Sequence, residues 1–430
     1  MVYEATTDFK RWLSCYTFSM SHLPIVHIYT WLYCTVGLCL LGCQDVNTRC
    51  LSTDGTLTIS PQDLAECPKD ESLQTLILEG DGDLQGQTVG ARFPNLQQLQ
   101  LHFTPTVTEL PADIDQCTNM REMSIVGTGI ETLPVEVGTL PVQKLTIEHN
   151  PFLANLPAIH SPLKQFTIAN NPNLSTIPNT FGQAHTLRIV NLEHNNLSNI
   201  PQSIGVYREL REIYLRGNRL KSLPSNLDNL KQLSILDISE NPFYTVPASV
   251  MSLTQLHSLT LQHLPNLTSI PPVSNLRTLS RLHILDCPNL KVLPTDIHTL
   301  NALVSLKVES TGIERLPERL LDVPNIEYVK IRINPNLKTL PDNIGHNDSI
   351  RFLFLSQNNI TNIPPSLGNL SSLELLFLEE NEIEALPEEI CQLSNLEELS
   401  IASNQISTLC QSIGNLKRVR FLNLNSNPIQ

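Results

Sequence analysis

The sequence predicts an α/β repeat solenoid, with a concave parallel β-sheet backed by an irregular or 3₁₀ convex side. Three observations carry this. The chain of 430 residues exceeds the roughly 250–300 residues at which one hydrophobic core stops growing, so it must divide or repeat. Thirteen of its 30 prolines recur at nearly even intervals, as punctuation does. Its aliphatic residues fall in an LxxLxL pattern with a period near 23 residues, and self-similarity at such a period marks stacked units.

Composition narrows the function classes. Hydrophobic residues at 41% exclude general disorder, and charged residues at 16% exclude a coiled coil. A net charge of -14 argues against nucleic acid as the partner, because phosphate binding needs a positive surface.

In chain order, residues 1–42 read as a signal or targeting segment, with Met20 as an alternative true start. Its uninterrupted apolar core is Trp31 to Leu41. Eleven such residues rise only about 16 Å as a helix, against a hydrocarbon core of about 30 Å, so the run fits a signal-peptide h-region better than a membrane span. The only upstream basic residues, Lys10 and Arg11, are balanced by Glu4 and Asp8. The run ends Leu40-Leu41-Gly42-Cys43, which resembles a bacterial lipobox and makes Cys43 a candidate for lipidation. Plain secretion, an uncleaved anchor and a cytosolic chain stay open beside it. Residues 43–72 read as an N-terminal cap, in which Cys50 and Cys67, seventeen positions apart, are a candidate disulfide of an exported protein.

Residues 73–430 form the array. Units begin at Leu73, Leu96, Met120, Val142, Leu163, Leu187, Leu210, Leu233, Leu256, Leu279, Leu303, Ile326, Ile350, Leu373, Leu396 and Val419, sixteen in all, the last truncated. An aliphatic-Pro pair recurs in phase with them from Pro111 to Pro387, and Cys410 takes the next place. In LxxLxL alternate residues face inward, so each unit supplies one short strand that only its neighbours can cover. An Asn at the ninth position offers its side-chain amide to backbone groups at the turn. Asp81, Thr104, Thr128, Leu264, Cys287 and Thr311 stand where this Asn is replaced, and Leu264 interrupts the ladder because it cannot hydrogen-bond.

With LxxLxLxxNxLxxLPxxIxxL in view, the array resembles a leucine-rich repeat protein of the class with LPxxIxxL in the second half of each unit. The resemblance implies a horseshoe whose concave sheet is the recognition surface. It is almost silent on the ligand.

No chemistry emerges from the motifs. GxxxxGK[ST], HExxH, GxSxG and EF-hand patterns are missing from the sequence. The Glu-His-Asn triplets at Glu148 and Glu193 lie two repeats apart, about 10 Å along the sheet, too far for one metal. Cys117, Cys287, Cys391 and Cys410 look scattered through the array, and neither Cys391 nor Cys410 has a convincing base beside it. No catalytic residue, cofactor or metal site is therefore expected. Asn-X-Ser/Thr sequons at Asn173, Asn196, Asn266, Asn347, Asn359 and Asn369 arise largely from the repeat grammar.

A recognition surface is the remaining candidate. Outward positions of each strand are the third, fifth and seventh of the unit. From Leu303 to Leu373 these change from small and polar to aromatic and basic. Tyr328, Phe352, Phe354, Leu375 and Phe377 should form one exposed patch, with Lys307, Lys330 and Arg332 on its flank, since strands stack at about 4.8 Å. Clustered aromatics beside Arg are typical of interaction hot spots, while stacking that stabilises the sheet is the competing reading. The expected function is a non-catalytic binding scaffold, exported and surface-attached through the N-terminus, with a protein ligand and a glycan as the other partner class. A cytosolic signalling scaffold and the ectodomain fragment of a receptor kinase are the alternatives.

Overall fold

Alternation of apolar and polar residues puts every other side chain of a strand on one face. In a computed structural model, which describes residues 50, 52 and 54–429, this pattern is realised seventeen times. The chain divides into two units, Met1–Leu51 and Ser52–Gln430. Segment 1–42 and Cys43 lie outside the described residues. The second unit holds a single sheet of seventeen strands, open and parallel throughout, each paired with the next in sequence. Sixteen of these strands are those of the sixteen units, from Thr75–Glu79 to Phe421–Asn423. The other, Thr56–Ile59, comes from the cap and pairs with Thr75–Glu79, so the sheet begins ahead of Leu73.

The inward positions are sealed. Val190, Leu192, Leu236, Ile238, Leu353 and Leu355 are buried, although in these units the regular strand covers only the third to fifth positions, as in Ile189–Asn191. Leu264 is wholly buried without a break in the sheet, and Ser258–Gln262 pairs with strands on both sides. No α-helix occurs among the described residues, and none of them forms a helix able to cross a membrane. The return path is built of short 3₁₀ turns. Six of them follow directly on a proline: Pro134, Pro201, Pro224, Pro247, Pro364 and Pro387. The ring fixes φ where the chain turns back, and no ladder hydrogen bond is lost there.

The ladder Asn closes each turn. Asn218 donates from Nδ2 to the carbonyls of Leu192 (2.8 Å) and Leu215 (3.0 Å), while its Oδ1 accepts from the amide of Leu197 (3.1 Å). Thr128 and Thr311 substitute partly, each donating its hydroxyl to the Asn of the next unit, at 2.7 and 2.6 Å. The eighth residue of every unit, just ahead of this position, has positive φ, and only Gly80, Gly127 and Gly217 among the sixteen are glycine. The final strand is poorly covered: Phe421 is 51% and Leu422 41% exposed, where its equivalent Leu399 is buried.

Candidate functional site

The outward face of the sheet changes character along its length. Strands Ile189–Asn191, Glu212–Tyr214 and Ile235–Asp237 carry an acidic stretch. Burial and then the nearby Asp237 push the Glu193 carboxyl up. The Tyr214 hydroxyl donates to Glu212 (2.9 Å), and burial followed by that carboxylate pushes it up to about 12. Arg216, beside them, is held by Glu240 at 2.6 Å.

Two repeats beyond the last of these strands the sign reverses. The fifth-position register runs Thr260, His283, Lys307, Lys330, Phe354, Phe377. The third-position register runs Arg281, Ser305, Tyr328, Phe352, Leu375. This brings the five apolar side chains of the expected patch together. Phe354 stacks on Phe377 with ring centroids 5.1 Å apart, and Tyr328 lies 5.3 Å from Phe354 and 6.4 Å from Phe352. All five are half-buried rather than fully exposed, because each ring covers part of its neighbour. The basic flank is also present. The Lys307 ammonium sits 5.7 Å over the Tyr328 ring, and Arg351, from the edge, lies 5.0 Å over Phe352. Lys330 (3.1 Å) and Arg332 (2.8 Å) share the carboxylate of Glu309. Burial, then Glu309, pushes the Tyr328 hydroxyl up.

The basic cluster reaches further than Lys307. Arg281 and His283, one repeat earlier, continue it, and the His283 Nε2 is buried without a hydrogen-bond partner. Burial, then Lys307 and Arg281, pushes this imidazole down to about 4. The rule for outward positions finds both residues once it is carried back one unit. Among the described residues no group of three or more His, Cys, Asp or Glu is arranged to hold a metal.

The family description "leucine-rich repeat region" matches residues 162–289 and 334–428, together more than half of the sequence. The chain belongs to the leucine-rich repeat family. Among solved structures, this leucine-rich repeat chain is similar to a leucine-rich repeat protein of Leptospira interrogans. They share 26% identity over 82% of this chain and 95% of that one, with a TM-score of 0.56. It is also similar to the functional domain of InlJ from Listeria monocytogenes, at 18% identity over 84% and 73% of the chains and a TM-score of 0.48. The Arabidopsis receptor kinase HAESA, solved with the peptide hormone IDA and a co-receptor, gives 18%, 86%, 72% and 0.47. No curated protein sequence matches the chain. A leucine-rich repeat solenoid of this kind is in general a scaffold for binding other proteins.

The cysteines need a correction. Cys391 and Cys410 are not scattered thiols but a disulfide, nineteen residues apart and with Cα atoms 6.5 Å from each other. Cys391 lies in the 3₁₀ turn Glu388–Gln392, and Cys410 occupies the proline place of the next unit. Stacking on the convex side is what makes them neighbours. The signal was available: a Cys where each of the thirteen units from Leu96 to Leu373 has Pro, with a second Cys one unit back. Cys50 and Cys67 are also both disulfide-bonded. Cys117 and Cys287 are buried free thiols, pushed up by burial first to about 12 and about 11.

Proposed function

We propose that this chain is an exported, non-catalytic recognition scaffold that binds a protein ligand on the concave face of its sheet. The observation that carries this reading is the aromatic cluster. Tyr328, Phe352, Phe354, Leu375 and Phe377 occupy adjacent outward positions, with Lys307, Lys330 and Arg332 beside them. Most other outward positions hold small or polar residues such as Ser258, Thr260 and Gln262, and exceptions such as Ile77, Ile189, Tyr214 and Ile235 form no such cluster of rings. Solvent gains nothing from rings placed there, whereas a partner that buries them gains roughly 25 cal/mol for each Å² of apolar surface removed from water.

Export is supported by oxidised cysteines toward both ends of the described chain, since disulfides persist in oxidising compartments. In this reading Cys50 pairs with Cys67 and staples the cap. Residues 1–42 direct the export, and Cys43 attaches the mature chain to a membrane by a lipid.

Two experiments test the proposal. Mass spectrometry of the mature N-terminus, with cell fractionation, should find a chain beginning at Cys43 with a lipid attached. An unprocessed cytosolic chain would overturn export. For the surface, Phe354→Ala and Phe377→Ala should each weaken the partner by at least ~1 kcal/mol, about fivefold, with little change in melting. Unchanged binding with clear destabilisation would assign the rings to stacking within the sheet.

A further inference from the structure

The partner's chemistry can be read from charge. Three adjacent strands, Arg281–Cys287, Ser305–Thr311 and Tyr328–Arg332, present four cationic side chains outward, Arg281, Lys307, Lys330 and Arg332, with the neutral imidazole of His283 among them. Glu309 is the one carboxylate at their third, fifth and seventh positions, and Lys330 and Arg332 already share it, while Asp286, at the eighth position of the first strand's unit, pairs with His263 at 3.2 Å. Arg281 and Lys307 form no salt bridge among the described residues, and His283 leaves a buried ring nitrogen without a partner. The whole chain carries a net charge of -14, so this local excess of positive charge is set against the trend. One uncharged strand, Ser258–Gln262, separates it from the acidic stretch around Glu193, Glu212 and Asp237, and the aromatic cluster adjoins it on the other side.

Resting on the recognition surface described above, we propose that the partner offers an extended acidic-apolar peptide segment. One carboxylate seats between Arg281, His283 and Lys307, and an apolar side chain seats on Phe354 and Phe377. The register fixes the spacing. From the Lys307 strand to the Phe354 strand is two steps, and to the Phe377 strand three, or about 10 and 14 Å at about 4.8 Å per strand. An extended peptide rises about 3.4 Å per residue, so the two ligand residues stand three to four positions apart. The acidic stretch repels a carboxylate placed the other way, so the segment binds in one direction.

Panning a random dodecapeptide phage library on the immobilised protein tests this. Recovered peptides should carry Asp or Glu three to four residues from an aromatic or aliphatic side chain. A synthetic peptide of that sequence should weaken at least tenfold on Lys307→Glu, Arg281→Glu and Phe354→Ala, and by less on the milder Lys307→Gln. Each variant should keep its melting temperature. Peptides that lose binding with Phe354→Ala but not with Lys307→Glu or Arg281→Glu would overturn the acidic requirement and leave the surface standing. Peptides indifferent to all of these variants would overturn both. Heparin binding with no peptide enriched would assign the anion to a glycan and overturn the peptide, as would enrichment of neutral or basic peptides.

Discussion

Two neighbouring stretches of the sheet satisfy the same buried backbone groups by different means. In the repeats beginning at Leu187, Leu210 and Leu233 the ladder residues are Asn195, Asn218 and Asn241, and the strands are three residues long. In the next three repeats the ladder residues are Leu264, Cys287 and Thr311, and the strands run to five, seven and seven residues. A buried N–H or C=O needs a partner from somewhere. Where an Asn amide provides it, the chain can turn early. Leu264 provides nothing, and Cys287 offers only a thiol 3.6 Å from the Leu261 carbonyl and 3.4 Å from that of Leu285. There the backbone continues to pair, so that Cys287 itself stands opposite Thr311 in the ladder. The division is not absolute, because Asn150 and Asn171 follow strands of five residues. Side-chain capping permits a short strand without enforcing one.

Transplanting one solution into the other stretch gives the largest expected effect. Asn218→Leu removes the partner of the Leu197 amide and one of the two donors to each of the Leu192 and Leu215 carbonyls, which keep Asn195 and Asn241, in a place where the strand does not lengthen. At about 1–3 kcal/mol for the orphaned amide and about 0.5–1.5 kcal/mol for each of the two hydrogen bonds lost at carbonyls, stability in urea should drop by about 3–4 kcal/mol. A loss under ~1 kcal/mol would break the comparison, because it would mean that the short strands do not need the amide.

Acid should act more on the long-strand stretch. His283 is held near 4, below its ordinary 6.5, by burial and then by Lys307 and Arg281, while Glu309 opposes them. The folded chain therefore prefers the neutral ring, and the unfolded chain takes up a proton near 6.5. The resulting stability is complete above that pH and is lost as pH falls from 6.5 toward 4. Comparing melting temperatures at pH 7 and pH 5 should show a smaller acid-induced drop for His283→Gln than for the unaltered protein. Equal drops would show that the ring is solvated.

Leu264→Asn should be nearly neutral, within about 1 kcal/mol, because the amide regained offsets the apolar burial lost. A strong destabilisation would mean that the longer strand excludes the Asn geometry. The smallest effect concerns Cys117 and Cys287. Their buried thiols, pushed up to about 12 and about 11, should resist iodoacetamide in the native protein and react once it is unfolded, since the thiolate is the reactive species.

Strand positions and register were legible because two periods, 2 and 23, reinforce one another, so that a slip of one residue would expose Leu236 or Leu353. The aromatic cluster was legible by the same rule of outward positions. What escaped has no period. The Cys391–Cys410 bridge depends on the path of the convex turns, which vary from unit to unit. The half-burial of Phe354 and Phe377 depends on how far one ring overlaps the next. The sequon at Asn347 reads as a modification site, yet this side chain is buried, its Nδ2 donating to the carbonyls of Leu321 (2.7 Å) and Val323. A three-letter motif does not encode burial.

The column of positive-φ residues ahead of the ladder has a consequence for evolvability. Thirteen of its sixteen members carry a side chain, including Ile333 at φ 58°, a β-branched residue where such backbones are genuine outliers. Strain of roughly 1 kcal/mol or more at each position is tolerated because a hydrogen bond to the following unit accompanies it, such as that from the Ile333 amide to the Ser356 carbonyl at 3.3 Å. A linear array adds such terms nearly independently. The molecule therefore holds an unused reserve of thermal resistance, spread over the twelve units whose residue here is neither Gly nor Asn. Replacement by Asn, beginning with Ile333→Asn, releases it stepwise without altering the sheet, leaving the chain room to absorb damaging changes elsewhere in the array.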